Sequence, residues 1–218
     1  MAEKTKDQKK RRVIEVIRFL KETYPDATCA LFHRNAFELL CATILSAQCT
    51  DERVNKVTPA LFAAYPDAPA MAHASVSHME KLIGSVNFFR NKAKALIACS
   101  QALVENHSGE VPGNMDDLVK LRGVGRKTAN VVLGNAFGVP GLVVDTHVGR
   151  LSRRLGFTEK LDPEEVESEL MDLVPREDWT IYAHLLISHG RARCLARKPQ
   201  CKLCEVSALC PKTGVEKT

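Results

Sequence analysis

The chain has no apolar run approaching the roughly 20 residues that cross a bilayer. Its opening stretch, MAEKTKDQKKRR, lacks the apolar centre of an export signal. Nowhere do apolar and polar residues alternate long enough for a sheet, and no internal repeat or low-complexity segment is present. These absences argue against a membrane protein, a secreted protein and a β-fold. A cytoplasmic, all-α chain is what they leave.

What is present fits a globular protein. The 218 residues fill one large core or two modest ones. A formal net charge of +5 suits a polyanionic partner but does not require one. Eight cysteines would mean disulfides in a small secreted chain, but a reducing compartment argues otherwise. Their distribution is more telling. Cys29, Cys41, Cys49 and Cys99 are scattered, whereas Cys194, Cys201, Cys204 and Cys210 crowd into one short stretch.

Helical periodicity runs through the sequence. Residues 10–24 place Val13, Ile17, Leu20 and Tyr24 on one face, an amphipathic surface helix closed by Pro25. The run AFELLCATILSAQC, residues 36–49, is apolar enough for a buried helix. Gln48 and Asp51 sit where it yields to the next helix, with Asp51 the expected cap and Gln48 a less natural one. Residues 70–83 and 90–106 read as two further helices. Between them, Phe88 and Phe89 cannot share one narrow stripe: burial of both is slightly favoured, and one exposed ring would make a wedge. Asp162-Pro163-Glu164-Glu165 is a strong helix start for 163–173. A last helix spans 178–189, with His184 and His189 as structural residues and Gly190 placed to close it.

Residues 115–150 organise the rest. A short helical piece, Met115 to Leu121, runs into Gly123-Val124-Gly125, and a second helix begins near Lys127. Glycines allow a positive φ and a close backbone approach. The amides of Val124, Gly125 and Arg126 would then face outward at a helix N-terminus, a site for phosphate, with the Arg126 charge beside it. A plain helical hairpin explains the turn equally well. A nucleotide-binding loop does not, because Arg126 separates Gly125 from Lys127-Thr128 and no strand precedes.

Lys127 is poorly placed for mere decoration, since its charge opposes the helix dipole. A neutral lysine amine is a nucleophile toward an electrophilic carbon. The helix terminus and Arg126 both disfavour its charge, and partial burial would add to that. Asp145 precedes a helix over 146–155 and reads first as its N-cap. Capping is compatible with a catalytic role, because it fixes the carboxylate that would stabilise developing positive charge.

The spacing Cys194-x6-Cys201-x2-Cys204-x5-Cys210 is the strongest signal in the chain. Four thiolates in one loop run suit a [4Fe–4S] cluster, with zinc as the rival. Arg197 and Lys198 lie within the first loop, and with Arg191, Arg193 and Lys202 they form a basic patch that a metal centre would brace.

Taken together, Leu-Ser-Ala-Gln-Cys-Thr-Asp (45–51), Gly-Val-Gly-Arg-Lys-Thr-Ala-Asn-Val-Val-Leu (123–133), Val-Asp-Thr-His-Val (144–148) and the cysteine spacing resemble the endonuclease III family. Its members are bifunctional DNA glycosylases of the helix-hairpin-helix superfamily. The resemblance covers almost the whole chain. It implies a helical domain over 29–139 containing the hairpin, and a discontinuous helical domain of 1–28 and 140–218 carrying a [4Fe–4S] cluster. It implies Lys127 as the Schiff-base nucleophile and Asp145 as its partner. Gln48 would fill the gap left by an everted nucleotide, and Phe88 would wedge the opposite strand. Arg122 through Arg126, with Arg197 and Lys198, would meet the DNA backbone. The substrate would be double-stranded DNA holding oxidised pyrimidines, such as thymine glycol, or abasic sites. The enzyme would be a monomer of the bacterial or archaeal cytoplasm, associated with the nucleoid.

Three positions depart from the family pattern. Arg122 replaces a common proline, Asn87 a usual glycine, and Phe88 a frequent leucine. Asparagine tolerates left-handed geometry, so the turn before the wedge survives at Asn87. Two rival functions remain open: a monofunctional or mismatch-directed glycosylase, and a non-catalytic DNA-binding module. Lys127, with no catalytic glutamate between Ser46 and Asp51, argues against the first.

Overall fold

Residues 6–215 are described by a computed structural model. Eleven α-helices follow one another among them: α1 (Lys6–Thr23), α2 (Ala36–Ser46), α3 (Asp51–Ala64), α4 (Ala68–Ala72), α5 (Val76–Leu82), α6 (Phe89–His107), α7 (Met115–Leu118), α8 (Arg126–Ala136), α9 (Thr146–Arg154), α10 (Pro163–Leu173) and α11 (Trp179–Ala192). No strand occurs among the described residues, as the sequence pattern predicts. None of these helices is long and apolar enough to cross a membrane.

The chain divides into two compact units. One is Cys29–Val139; the other joins the residues up to Thr28 to those from Pro140 onward. The first unit is built on α2, whose residues Phe37 to Leu45 are all buried. It packs against α3, α6 and α8. Its start is doubly secured: Asn35 Oδ1 accepts from the Glu38 amide at 2.9 Å, and Glu38 Oε2 accepts from the Arg34 amide at 2.8 Å. The Glu38 side chain is only 2 % exposed, and the Arg34 guanidinium donates to it as well.

In the second unit, α1 buries Val13, Val16, Ile17 and Leu20. It packs against α10 and α11, and α9 also packs on α11. Tyr182 of α11 is fully buried, its hydroxyl 3.1 Å from Ser152 Oγ of α9. Asp162 caps α10 as its sequence predicts, accepting from the Glu164 and Glu165 amides at 3.0 and 3.1 Å.

Four expectations need correction. Thr50 caps α3, accepting from the Arg53 amide, and Asp51 is the first helical residue, where its charge meets the positive helix end. Residues 70–83 are not one helix but α4 and the end-capped α5, because Ser75 captures the His78 amide and restarts the turn. Phe88 and Phe89 are not both buried: Phe88 is 61 % exposed, while Phe89 packs partly on the core. Gly190 does not end α11, which runs through it to Ala192. Its role is close approach, since a Cβ there would lie 2.5 Å from His147 Nδ1.

Burial raises the Glu38 carboxyl, but the Arg34 contacts outweigh it, so the net direction is below the ordinary glutamate value. Stability from this pair is therefore full above about pH 4.5 and is lost as the pH falls through the lower folded value. A Glu38→Gln variant is expected to be less stable at neutral pH by about 1–2 kcal/mol in urea unfolding, with the gap to wild type closing toward pH 3. A gap that stays constant across that range would refute the assignment.

Candidate functional site

The glycine turn is a seat as well as a bend. Gly123 adopts φ +84, and a Cβ there would lie 3.2 Å from Ala95 Cβ of α6 and 3.5 Å from Ile44 Cγ2 of α2. The turn thus lies against two core helices at a point where only glycine fits without strain. Val124 is buried, while Arg122, Gly125 and Arg126 are exposed. One predicted donor is lost: the Val124 amide is bonded to the Leu121 carbonyl at 3.1 Å. Gly125 keeps its amide without a partner among the described residues, and a Cβ at Gly125 would meet nothing within 4 Å. The helix mouth therefore presents an open Gly125, followed at once by Arg126 and Lys127.

Lys127 is the second residue of α8 and is exposed. The partial burial that would add to the effects of the helix terminus and Arg126 is therefore absent. Asp145, in the other unit, caps α9: Oδ1 accepts from the Val148 amide at 2.8 Å. The second carboxylate oxygen has no partner among the described residues, and the side chain is half-buried. Capping thus fixes the carboxylate while leaving one oxygen available.

Gln48 and Phe88 are both exposed, and both are left-handed, with φ 53 and φ 58. The left-handed residue beside the second phenylalanine is therefore Phe88 itself, not Asn87, where the sequence resemblance suggests that geometry. Asn87 has another use: its Nδ2 donates to the Gln48 carbonyl at 2.7 Å. Sequence reading also missed Lys92. Its ammonium is buried and donates to the carbonyls of Leu45 and Ala47 at 2.8 and 2.6 Å, closing the C-terminal end of α2 just before Gln48. Burial lowers its pKa, partly offset by Cys49. The available signal was its spacing with Leu96 and Leu103 on the buried face of α6.

All four clustered cysteines line one cavity, together with Arg154 and His189. Arg154 Nη1 donates to Cys194 Sγ at 3.3 Å, and His189 Nε2 lies 3.3 Å from Cys204 Sγ. Among the described residues, His189, Cys204 and Glu205 bring ligand atoms within 4.8 Å of one another. N–H donors toward the sulfurs are what anionic thiolates require. Arg197 and Lys198 are exposed on the loop between the first two cysteines. Arg193 is partly spent, since its Nε pairs with Glu205 at 3.1 Å, so the patch is less dense than predicted.

A family profile described as HhH-GPD superfamily base excision DNA repair protein matches residues 41–176. Endonuclease III of Synechocystis sp. is 54 % identical over 204 residues, covering 93 % of each chain. The chain belongs to the endonuclease III family. The Bacillus subtilis endonuclease III is 47 % identical, with 87 % of each chain covered. Among solved structures, an endonuclease III in a non-covalent DNA complex superposes with TM-score 0.87 at 45 % identity, covering 93 % of this chain and 95 % of the other. A trapped covalent endonuclease III–DNA intermediate matches equally well, covering 96 % of that chain. A thermostable thymine-DNA glycosylase, at 22 % identity and TM-score 0.81, shares the fold. The four-cysteine loop is consistent with the [4Fe–4S] site of endonuclease III.

Two outcomes follow from this geometry. Gly125→Ala is expected to leave thermal stability unchanged yet weaken duplex DNA binding several-fold, because the methyl fills the open mouth; Gly123→Ala should lower stability by about 1–2 kcal/mol through strain and crowding. Binding titrations and melts on the two proteins separate the effects, and equal behaviour would contradict them. The purified protein is expected to be yellow-brown, with iron and sulfide near four per chain; colourless protein holding one zinc overturns the cluster assignment.

Proposed function

We propose that the protein is a base-excision-repair DNA glycosylase with AP lyase activity, acting on oxidised pyrimidines and abasic sites in duplex DNA. The carrying observation is the exposed Lys127 amine at the mouth of α8, one residue beyond the open Gly125 and Arg126. It gains weight from the relative trapped covalently with DNA.

In this reading, the Gly125 amide and the Arg122 and Arg126 charges hold the backbone beside the lesion, independent of sequence. The lesion nucleotide leaves the stack, Gln48 occupies the vacated space, and Phe88 wedges into the opposite strand. The Lys127 amine, once deprotonated, attacks C1′. The C1′–N bond breaks and its electron pair leaves with the base. Ring opening yields a protonated Schiff base between Lys127 and C1′. Loss of a proton from C2′ expels the 3′ phosphate, and water then releases the lysine. Asp145, anchored by its cap bond, stabilises the positive charge that develops on the sugar and passes protons.

Cys194, Cys201, Cys204 and Cys210 would hold the [4Fe–4S] cluster, which supplies rigidity to the basic loop rather than an open coordination site. Arg197 and Lys198 then meet phosphates from a fixed backbone. The protein would work as a monomer.

Borohydride tests the central bond. Incubation with a thymine glycol or abasic duplex and borohydride is expected to trap one chain per duplex, and Lys127→Ala should abolish trapping and strand cleavage while retaining DNA binding and the native melt. Asp145→Asn is expected to lose at least about a hundredfold in turnover, as removal of a positioned acid–base group does. Base release without trapping by the wild type would mean a monofunctional glycosylase. Binding without either would mean a non-catalytic module.

A further inference from the structure

Gln48 and Phe88 stand in left-handed conformations that non-glycine residues enter at a cost, and both are exposed, so core packing does not impose them. Something local must hold them. The stretch that carries Phe88 supplies two struts to the stretch that carries Gln48. Asn87 Nδ2 takes the Gln48 carbonyl at 2.7 Å. Lys92 Nζ takes the carbonyls of Ala47 and Leu45 at 2.6 and 2.8 Å. The Lys92 amide in turn bonds the Phe88 carbonyl at 3.1 Å. Three carbonyls before and at Gln48 are thus tied to residues on both sides of Phe88.

We infer that Asn87 is a positioning residue for lesion recognition, coupling Gln48 and Phe88 so that the two side chains engage the duplex as one preformed unit. The inference rests on the roles proposed above for Gln48 and Phe88. Lys92 is a buried structural brace, lost only at the expense of the fold. Asn87 is different: it is exposed, and its bond to a carbonyl in water adds little to folding. Its effect belongs to the moment when DNA displaces that water and both loops must keep their shape. Preorganisation then removes an ordering cost from binding. A glycine at this position, the usual residue in the resemblance noted above, would leave the two loops joined through Lys92 alone.

The test is a mutant cycle on a thymine glycol duplex. Asn87→Gly is expected to lower kcat/KM about fivefold, the equivalent of one hydrogen bond, chiefly through KM and with an unchanged melting curve. In a Gln48→Ala background the same change should cost less than about twofold, because its target side chain is gone. With 2-aminopurine opposite the lesion, Asn87→Gly should reduce the fluorescence rise at saturating protein, since fewer complexes hold the wedge inserted. Asn87→Asp keeps the shape but not the donor, and should behave like glycine in both readouts. The proposal is overturned if Asn87→Gly costs the same in both backgrounds, or nothing while Gln48→Ala alone is impaired. If Gln48→Ala excises normally, the role given to Gln48 fails and takes the coupling with it.

Discussion

A single buried ammonium governs the Cys29–Val139 unit. Lys92 is 7 % exposed, and its charge is met by two carbonyls at the C-terminal end of α2 rather than by a carboxylate. That arrangement suits both partners. The helix end carries partial negative charge and unsatisfied acceptors, and the ammonium carries three donors. Removing the side chain would leave those carbonyls without their donor in a place water barely reaches. Fixing the end of α2 also fixes Ile44, one of the two side chains on which Gly123 rests; the other, Ala95, lies one turn beyond Lys92 on α6. The loop bearing Gln48 and the turn leading to Lys127 therefore draw their positions from the same few atoms.

This explains how exposed candidate site residues remain defined. Gln48, Phe88, Gly125 and Lys127 are all at the surface, where side chains ordinarily wander. Each sits within a few residues of a buried anchor: Leu45, Phe89 on its partly covered side, Val124, and Ala129. The burial is short-range in sequence, so the backbone is set even where the side chain is free. Lys127 shows the consequence most plainly. It is exposed at the second position of α8, while Val124 and Ala129 on either side are buried.

Local signals were legible in the sequence and long-range ones were not. The all-helical class, the caps at Asp162 and Asp145 and the cysteine loop each depend on residues only a few positions apart, so their pattern survives in one dimension. The misreadings share a cause. Asp51 lost the cap to Thr50 because the two differ by one position and both side chains are competent. Val124 lost its outward amide because the turn closes on Leu121. Gly190 looked like a helix stop because glycine ends helices often, yet here it makes room for His147, which lies more than 40 residues earlier. Asn87 was read for its backbone tolerance, whereas its side chain reaches a carbonyl on another loop. No periodicity records such a contact.

The cysteine loop meets the same problem with other means. Residues 194–210 bury little apolar surface: Val206 is the one buried hydrophobic residue among them. Their backbone is held instead by polar reach from α9, where Arg154 donates to the carbonyls of Leu195 and Ala196 at 2.7 and 2.9 Å as well as to Cys194 Sγ. One guanidinium thus addresses both a ligand sulfur and the loop that carries Arg197 and Lys198. Burial pushes the Cys204 thiol up to about 11, so without a cation at the centre the thiol form is preferred. A metal centre bound there would reverse that preference and give the loop the covalent staple that its missing core does not. The two units therefore solve one physical problem, a rigid cationic surface on a small scaffold, by different routes. One buries a charge under a helix end; the other would gather thiolates around a metal.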